Sequence, residues 1–212
     1  MILSRLILNP RSRQVQIDIS NLYEFHRSLM TAFPDQVKRK DSGLLYRVET
    51  ARDPLNEGIP VLVQSSLPPD WMPLEIRTGY LLQSPVLKKE MDISSSLNGF
   101  YKFYLRANPT RRISQSGKLI CLQKDDQLLE WLVEKGKHYG FEFKKEDLLI
   151  CKMPACVMHK PQDGKKFRIE IQAVDFSGQL KVTEKIPFSL ALQNGIGRGR
   201  SFGCGLLSLA RL

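Results

Sequence analysis

Two similar stretches decide the fold of this chain: "LSRLILNPRSR" at residues 3–13 and "FYLRANPTRR" at residues 103–112. Each is an apolar, strand-like run that ends in Asn-Pro and is followed by arginines. Asn9 and Asn108 lie 99 residues apart, close to half of the 212-residue chain. Because Asn-Pro initiates turns and proline cannot continue a central strand, both runs are predicted to be strands that end at a turn. The spacing indicates an internal repeat, each copy about the size of a small domain.

Corresponding elements follow each copy of the repeat. Apolar residues recur at helical spacing over residues 19–33, where Ser20 or Asn21 supplies the N-cap. A second helix is predicted over residues 124–141, with Gly140 as a suitable C-cap. Strand-like runs follow the first helix at residues 42–50, 58–66 and 80–87, and the second at 146–160, 166–178 and 203–212, the last after a short helix at 186–195. We expect the runs at 146–160 and 166–178 to form one hairpin.

Each half therefore has the predicted order β-α-β-β-α-β, which is typical of the ferredoxin-like fold. The predicted fold class is α+β, with two tandem ferredoxin-like domains built on RRM-like antiparallel sheets. We place the N-terminal domain at residues 1–93 and the C-terminal domain at residues 98–212. The linker is expected within residues 90–99, which are rich in serine, asparagine and glycine.

The charge of the chain indicates an anionic partner. It has 32 Lys and Arg residues against 22 Asp and Glu residues, a net charge of +10. Such an excess favours binding to nucleic acid or to a membrane surface. No apolar run approaches the roughly 18 residues that a membrane crossing requires, and the N-terminus does not resemble a signal peptide. We therefore expect a soluble, intracellular protein of the cytoplasm that does not engage a membrane.

The four cysteines do not form a metal-binding motif. Cys121, Cys151, Cys156 and Cys204 lack CxxC spacing and lie in apolar or strand-like contexts. They are predicted to be reduced thiols packed inside the protein. We expect no metal site and no cofactor.

A glycine-rich segment precedes the last strand, within "QNGIGRGRSFGCGLLSLARL" at residues 193–212. Its composition is compatible with a mobile surface loop, and equally with a nest of exposed N–H groups that binds phosphate beside two arginines. The P-loop and dinucleotide-binding fingerprints are both missing. The candidate phosphate-binding residues are Gly195, Gly197, Arg198, Gly199, Arg200, Gly203 and Gly205.

The spacing of these glycines resembles a known family. Gly195-Ile196-Gly197 and Gly203-Cys204-Gly205 flank five residues and are followed by "LLSLARL", as in the C-terminal glycine-rich loop of CRISPR-associated RNA-processing endoribonucleases. The stretches "FYLRANPTRR", "LILNPRSR" and "NLYEFHRSL" are similar to the CasE (Cse3-type) members that serve the type I-E Cascade complex. The resemblance covers both ends and the middle of the chain.

This resemblance implies tandem ferredoxin-like domains and a metal-independent endoribonuclease. Such an enzyme binds the repeat stem-loop of precursor CRISPR RNA and cleaves it at the 3′ base of the stem. Attack by the 2′-OH leaves a 2′,3′-cyclic phosphate and a 5′-OH. The enzyme then stays on the mature CRISPR RNA beside other Cascade subunits. We expect the free protein to be monomeric.

Metal-free RNA cleavage requires proton carriers, and histidine is suited to that role because its pKa lies near neutrality. The chain has His26, His138 and His159. His26 and Tyr23 are i, i+3 neighbours on the first predicted helix, and Arg27 lies beside them. Spacing alone leaves a structural or solvated role for His26 open. The resemblance implies that Tyr23 and His26 form the active site, and leaves open which proton each moves.

The remaining basic residues are candidates for RNA contact. His138 is expected at the surface near a helix end, and His159 begins a basic hairpin tip. That tip is either a solvated turn or, as the resemblance implies, an RNA-binding element. Phosphate contacts of this kind position an RNA without reading its bases. The candidates, besides Arg27 and the glycine-rich segment, are Arg111, Arg112, Lys160, Lys165 and Lys166.

One departure from some relatives and one alternative function remain. No lysine follows His26 within its helix, where Thr31 is found. If relatives use a helix lysine to stabilise the phosphorane, the resemblance implies that this charge comes here from Arg27 or the glycine-rich segment. The alternative function is a non-catalytic RNA-binding or scaffold subunit with His26 as a contact only. The chain lacks the RNP1 string of an RRM that stacks bases on its sheet.

Overall fold

A computed structural model describes residues 1–88, 99–115, 117–162 and 165–212 of the chain. The chain divides into two compact units. Unit 1 consists of Met1–Met91, Met158–Ile169 and Ser201–Gly203, and unit 2 of Asp92–Val157, Glu170–Arg200 and Cys204–Leu212. The predicted linker falls almost entirely on residues 89–98, which lie outside the described residues.

Unit 1 is a ferredoxin-like fold. Its elements in chain order are β1 (Ile2–Leu8), α1 (Arg13–Ser20), α2 (Leu22–Met30), α3 (Arg39–Ser42), β2 (Leu45–Val48), β3 (Ile59–Ser65), α4 (Met72–Glu75) and β4 (Val86–Lys88). The four strands form one sheet in the order β2-β3-β1-β4, with every neighbouring pair antiparallel. Strand β1 pairs with β3 along its whole length, from Ile2 opposite Ser65 to Leu8 opposite Ile59. The order confirms the predicted class for the first half of the chain.

The core of unit 1 holds α2 against the sheet. Phe25 and Leu29 of α2 are fully buried, as are Leu6 and Leu8 of β1 and Val61 of β3. Full burial of a leucine or phenylalanine side chain contributes about 1.5–3 kcal/mol each. The helix is therefore fixed by its apolar side, which leaves its polar residues to face away from the core.

The helical region differs from the prediction at both ends. Residues 13–20 form α1, which the sequence pattern did not reveal, and Asn21 ends α1 and begins α2. Helix α2 ends at Met30, short of the predicted Phe33, because the chain turns there ahead of Pro34, and proline disfavours helical backbone in the residue before it. Phe33 is nevertheless buried, in the turn that follows.

Unit 2 repeats the same fold with two added hairpins. The named elements of the second half of the chain are β5 (Phe100–Ala107), β6 (Thr110–Arg112), β7 (Leu119–Cys121), α5 (Asp125–Tyr139), β8 (Phe141–Phe143), β9 (Leu149–Lys152), β10 (Cys156–Gln162), β11 (Lys165–Ile171), β12 (Val174–Val182), α6 (Lys185–Asn194) and β13 (Leu207–Arg211). The main sheet has the order β13-β5-β12-β8, with β9 also paired to β12. Strands β6 and β7 form one separate ribbon, and β10 and β11 form another, whose residues are divided between the two units. Gly140 ends α5 in the left-handed conformation, as predicted.

The hairpin predicted over residues 146–160 and 166–178 is confirmed in its pairing, because β10 pairs with β11 and β9 pairs with β12, but both of its strands are interrupted. The first run breaks into β9 and β10 around Pro154, which has no N–H to donate to a neighbouring strand. The second run breaks between β11 and β12, where the N–H of Met153 donates to the carbonyl of Ala173 at 2.9 Å. As a result β9 and β12 belong to the main sheet, whereas β10 and β11 form their own ribbon.

The two Asn-Pro turns occupy matching places in the two units. Strands β1 and β5 both lie beside the last strand of their sheet. The Oδ1 atom of Asn9 accepts the N–H of Arg11 at 3.0 Å, whereas that of Asn108 accepts the N–H of Gln172 at 3.3 Å. An isolated antiparallel bridge joins Leu8 to Leu81 in unit 1, and another joins Asn108 to Arg198 in unit 2. The two copies of the sequence repeat therefore occupy equivalent positions in the two units.

Two further expectations can be compared with the structure. None of the helices in the described ranges combines the length and apolar character that a bilayer crossing requires. All four cysteines are free thiols. Cys204 is buried, but the expectation of packed thiols is wrong for Cys151, which is exposed on β9.

Candidate active site

Helix α2 carries the predicted proton carriers. Of the two predicted N-caps, the structure selects Asn21, whose Oδ1 accepts the N–H of Tyr23 at 3.3 Å. Tyr23 and His26 are both half-buried and stand one turn apart. Arg27 follows on the exposed side, and its Nη1 lies 2.9 Å from the Oε2 of Glu24. The structure therefore brings Tyr23, His26 and Arg27 together on one helix, as predicted.

His26 lies in an environment that disfavours its charged form. Its Nδ1 is buried and has no hydrogen-bond partner among the described residues. Burial, and secondarily the positive charge of Arg39, lower the pKa of His26 from 6.5 to about 4. At neutral pH the imidazole is therefore neutral and able to accept a proton.

Tyr46 of β2 forms one wall of the histidine site. Its ring is nearly parallel to that of His26, with 6.4 Å between the ring centroids. The hydroxyl lies 3.2 Å from the carbonyl oxygen of Leu22, in the first turn of α2, and 3.1 Å from that of Ser201. Its one proton is shared between these two acceptors. Tyr46 thus links α2 to the part of the glycine-rich segment that belongs to unit 1.

Sequence reasoning missed Tyr46 because it lies in an aliphatic strand, "GLLYRV". The available signal was chemical: a tyrosine buried in a strand needs a partner for its hydroxyl. The partner, Ser201, is 155 residues away in sequence, so no local pattern could have identified it. Arg39 was also missed. It belongs to the basic run at residues 38–40, which the sequence pattern indicates only as a solvated helix end.

The glycine-rich segment is a folded loop. All five glycines have positive φ, and Gly195, Gly203 and Gly205 are buried. Gly197 has φ 84°, and a Cβ there would lie 3.1 Å from the ring of Trp131. Gly203 has φ 75°, and a Cβ there would lie 3.3 Å from the ring of Tyr46. The segment is therefore built into the fold, with close approaches at Gly197 and Gly203 that leave little room for a side chain.

The expected run of exposed N–H donors is also wrong for part of the segment. The N–H groups of Gly195 and Ile196 donate to the carbonyls of Ala191 and Gly205, at 2.8 and 2.9 Å. The N–H of Gly205 donates to the carbonyl of Arg106 at 2.7 Å. These donors hold the loop closed, so they are not available to a phosphate.

The two arginines of the segment are placed differently. Arg198 is exposed and is held opposite Asn108 by the isolated bridge. Arg200 is half-buried, and its Nε donates to the carbonyl of Gly197 at 3.2 Å. Arg198 therefore presents its charge to solvent from a fixed backbone, whereas part of the Arg200 guanidinium stabilises the loop.

The other predicted RNA contacts lie on the two added hairpins. Arg111 and Arg112 are exposed on β6, and Nη1 of Arg112 donates to the carbonyl of Gly117 at 2.6 Å. The backbone of Lys160 belongs to β10, and that of Lys165 and Lys166 to β11. Their side chains, like that of His159, lie outside the described part. Within the described residues, no three His, Cys, Asp or Glu side chains come close enough together to hold a metal ion.

These features define a tandem ferredoxin-like protein with a candidate acid–base site on the second helix of its first unit. A family model described as "CRISPR associated protein" matches residues 1–211, and the chain belongs to that family. The resemblance inferred from the sequence motifs is thereby confirmed.

Named relatives and a solved structure resemble the chain over nearly its full length. It is 32% identical to the CRISPR-associated endoribonuclease Cse3 of Thermus thermophilus, over 99% of this chain and 100% of the relative. It is 30% identical to the CRISPR system Cascade subunit CasE of Escherichia coli, over 91% of this chain and 93% of that protein. The structure of CRISPR endoribonuclease Cse3 bound to a 19-nucleotide RNA matches with a TM-score of 0.85 and 32% identity, covering 99% of this chain and 100% of that one.

Proposed function

We propose that the protein is a metal-independent endoribonuclease that matures CRISPR RNA in the cytoplasm. Its substrate is the repeat stem-loop of precursor CRISPR RNA, cleaved at the 3′ base of the stem. It then remains on the product as a subunit of a Cascade-type complex. Support comes from membership of the CRISPR-associated family and from the nearly full-length likeness to a named endoribonuclease and a named Cascade subunit.

The chemistry transfers a phosphodiester within the RNA. The substrate 2′-oxygen forms a bond to the adjacent phosphorus, and the bond from phosphorus to the 5′-oxygen breaks. A base takes the 2′-OH proton, a donor protonates the leaving 5′-oxygen, and positive charge stabilises the phosphorane. The products are a 2′,3′-cyclic phosphate and a 5′-OH.

We propose that His26 is the base that takes the proton from the 2′-OH. The observation that carries this assignment is the half-buried, neutral imidazole, whose Nδ1 lacks a partner among the described residues and whose ring lies against Tyr46. The neutral imidazole keeps a lone pair free to accept the proton, and the lowered pKa makes it a weaker base than an ordinary histidine. Tyr23, one turn earlier, orients the 2′-OH or donates to the departing oxygen.

Charge for the bound RNA comes from basic side chains on several elements. Arg27 lies beside His26 on α2 and forms an ion pair with the carboxylate of Glu24. Arg198 is exposed and fixed at the end of β5. We propose further contacts to the RNA backbone at Arg111, Arg112, Lys160, Lys165, Lys166 and Arg200, and, among the predicted glycines, at the half-buried Gly197 and Gly199 only.

Cleavage of a labelled repeat hairpin in excess EDTA tests this proposal. The wild-type protein should cut the all-RNA hairpin once, and a single 2′-deoxy substitution at the scissile position should abolish the cut. His26→Ala should lower the single-turnover rate by about 10²-fold or more while the affinity for the 2′-deoxy hairpin is retained.

His138→Ala is the matched control, because His138 is also helical and next to a tyrosine but is exposed at the end of α5. This variant should cleave at the wild-type rate. Tight binding of the hairpin without cleavage by the wild-type protein would instead establish the alternative, a non-catalytic RNA-binding subunit.

A further inference from the structure

A polar cleft opens beside the candidate active site in unit 1. It has a volume of about 670 Å³ and lies between α1, α2 and the segment that follows α4. We call it the α1–α2 cleft. The lining residues that matter to its chemistry are Gln14, Asp18, Glu24, Arg27, Ser28 and Arg77.

The floor of the cleft is the carboxylate of Asp18, which accepts three side-chain hydrogen bonds. Asp18 is 1% exposed, and its Oδ2 accepts the hydroxyls of Ser28 and Tyr80, both at 2.6 Å. Its Oδ1 accepts the Nε2 amide of Gln14 at 2.8 Å. Burial and the Asp18 carboxylate raise the pKa of Tyr80, so this hydroxyl remains a donor. Asp18 therefore contributes to the cleft indirectly, by fixing the side chains of Gln14, Ser28 and Tyr80.

Arg77 is held in place by this floor. Its Nη1 donates to the Oγ of Ser28 at 3.0 Å, and its guanidinium lies 5.3 Å from the centroid of the Tyr80 ring. Among the described residues this is the one hydrogen bond of the Arg77 side chain, which leaves further N–H donors on the guanidinium. A preorganised arginine with donors to spare is suited to bind an oxyanion such as phosphate, often in a bidentate manner.

The accessible charge of the cleft is positive. Arg27 contributes a side chain that is 64% exposed, paired with the less exposed Glu24, and Arg77 contributes a second cation. The negative charge of Asp18 is buried below them. The accessible lining residues Glu24, Arg27 and Arg77 therefore carry a net charge of +1, which favours an anion such as phosphate.

Helix geometry connects the cleft to the proton carriers. Arg27 lies four residues after Tyr23, so the two side chains are neighbours on α2, with about 6 Å between their Cβ atoms. Glu24, Arg27 and Ser28 form the α2 wall of the cleft and lie about 100–160° around the helix axis from His26, with Tyr23 between His26 and Arg27. An RNA strand that is cut at His26 reaches the cleft by passing around α2 over Tyr23 and Arg27.

We propose that the α1–α2 cleft binds a phosphodiester of the substrate RNA a few nucleotides from the cleaved bond, with Arg77 as its fixed ligand. This inference rests on the proposed function. The bound group lies on either the 5′ or the 3′ side of the scissile position. The two sources share the same chemistry, and RNA length distinguishes them.

The experiment measures affinity with RNA that cannot be cleaved. Three hairpins carry a 2′-deoxy at the scissile position: one trimmed close to that position, one extended by a few nucleotides at the 5′ end, and one extended at the 3′ end. Arg77→Gln should lower affinity about tenfold for one extended hairpin and leave the affinity for the trimmed one within about twofold of wild type. For that extended RNA, the slope of log affinity against log salt should weaken by about 0.7.

Two further variants separate a specific site from a general charge effect. Arg52→Gln removes the same charge from an exposed loop residue outside the cleft and should change none of the three affinities. Arg77→Lys keeps the charge without the planar fork, so it should retain the salt slope and recover part of the affinity. Thermal unfolding of both Arg77 variants checks that they are folded.

The proposal is overturned if Arg77→Gln matches Arg52→Gln on both extended hairpins, or weakens all three hairpins equally. Failure of the proposed function gives a different result, namely intact all-RNA hairpin after incubation with the wild-type protein. Because the binding experiment uses uncleavable RNA, its outcome does not depend on that result.

Discussion

Cleavage by this protein should be nearly independent of pH between about pH 5 and 7, although a histidine is its proposed base. Burial and Arg39 lower the pKa of His26 to about 4. At pH 5.5 a histidine with the ordinary pKa of 6.5 is about 90% protonated, whereas His26 in the free protein is about 3% protonated. A base is active when it is unprotonated, so kcat/KM should fall only as the pH approaches 4.

The assay is the pH dependence of kcat/KM, because this parameter reports the pKa values of the free enzyme. Replacement of Arg39 by glutamine removes the smaller of the two causes, so the acidic limb should move to higher pH yet stay below 6.5. Arg52→Gln is the control and should leave the limb in place. A kcat/KM that falls tenfold per pH unit above pH 4 would make His26 the acid and refute its assignment as the base.

The lowered pKa of His26 should also make the free energy of unfolding depend on pH. The unfolded chain binds a proton at His26 with a pKa near 6.5, whereas the folded chain does so only near 4. Between these values the unfolded state binds more protons, so the free energy of unfolding should rise with pH. His26→Gln should reduce this rise, as measured by urea unfolding at several pH values. An equal rise in the variant would show that His26 is not its source.

Three further substitutions test individual contacts. Tyr46→Phe removes the shared hydroxyl proton, which should cost about 1 kcal/mol of stability and lower kcat more than RNA affinity; an unchanged kcat would contradict the positioning of α2 by Tyr46. Gly197→Ala forces a side chain into a positive φ and against Trp131, so it should cost about 1–2 kcal/mol in urea unfolding; a stabilised variant would contradict this. Asp175→Asn weakens a buried bidentate pair with Arg106 and should lower the free energy of unfolding by about 3 kcal/mol. An unchanged free energy of unfolding would contradict this prediction.

An exposed ion pair provides the matched control for the last substitution. Glu142 and Lys181 lie 3.3 Å apart, and both side chains are about half exposed. Glu142→Gln should therefore cost less than about 1 kcal/mol. A comparable cost in the two variants would show that burial is not what makes the Asp175 pair important.

Local chemistry in the sequence was sufficient for much of the fold. The Asn-Pro turns mark the equivalent first strands, and the spacing of Phe25 and Leu29 identifies the buried side of α2. Gly140 correctly ends α5 because the left-handed conformation strongly favours glycine. Each of these features depends on residues within one or two turns of one another.

Features that depend on distant residues could not be predicted in this way. The long hairpin is interrupted because β9 and β12 join the main sheet whereas β10 and β11 do not, and alternation within a strand does not specify which sheet the strand joins. In the candidate site, the helix face with Tyr23 and His26 was predicted, whereas the Tyr46 wall was not. The lowered pKa of His26 follows from burial by the whole unit, which no short motif contains.

The contact between Tyr46 and Ser201 also sets an order of events during synthesis. Ser201 is translated 155 residues after Tyr46, which at typical rates corresponds to a delay of roughly 8 to 31 s. Until then the nascent chain carries His26 and Tyr23 but lacks the carbonyl that completes the hydrogen bonding of the tyrosine wall. The tyrosine wall beside His26 is therefore completed only after residue 201 has been made.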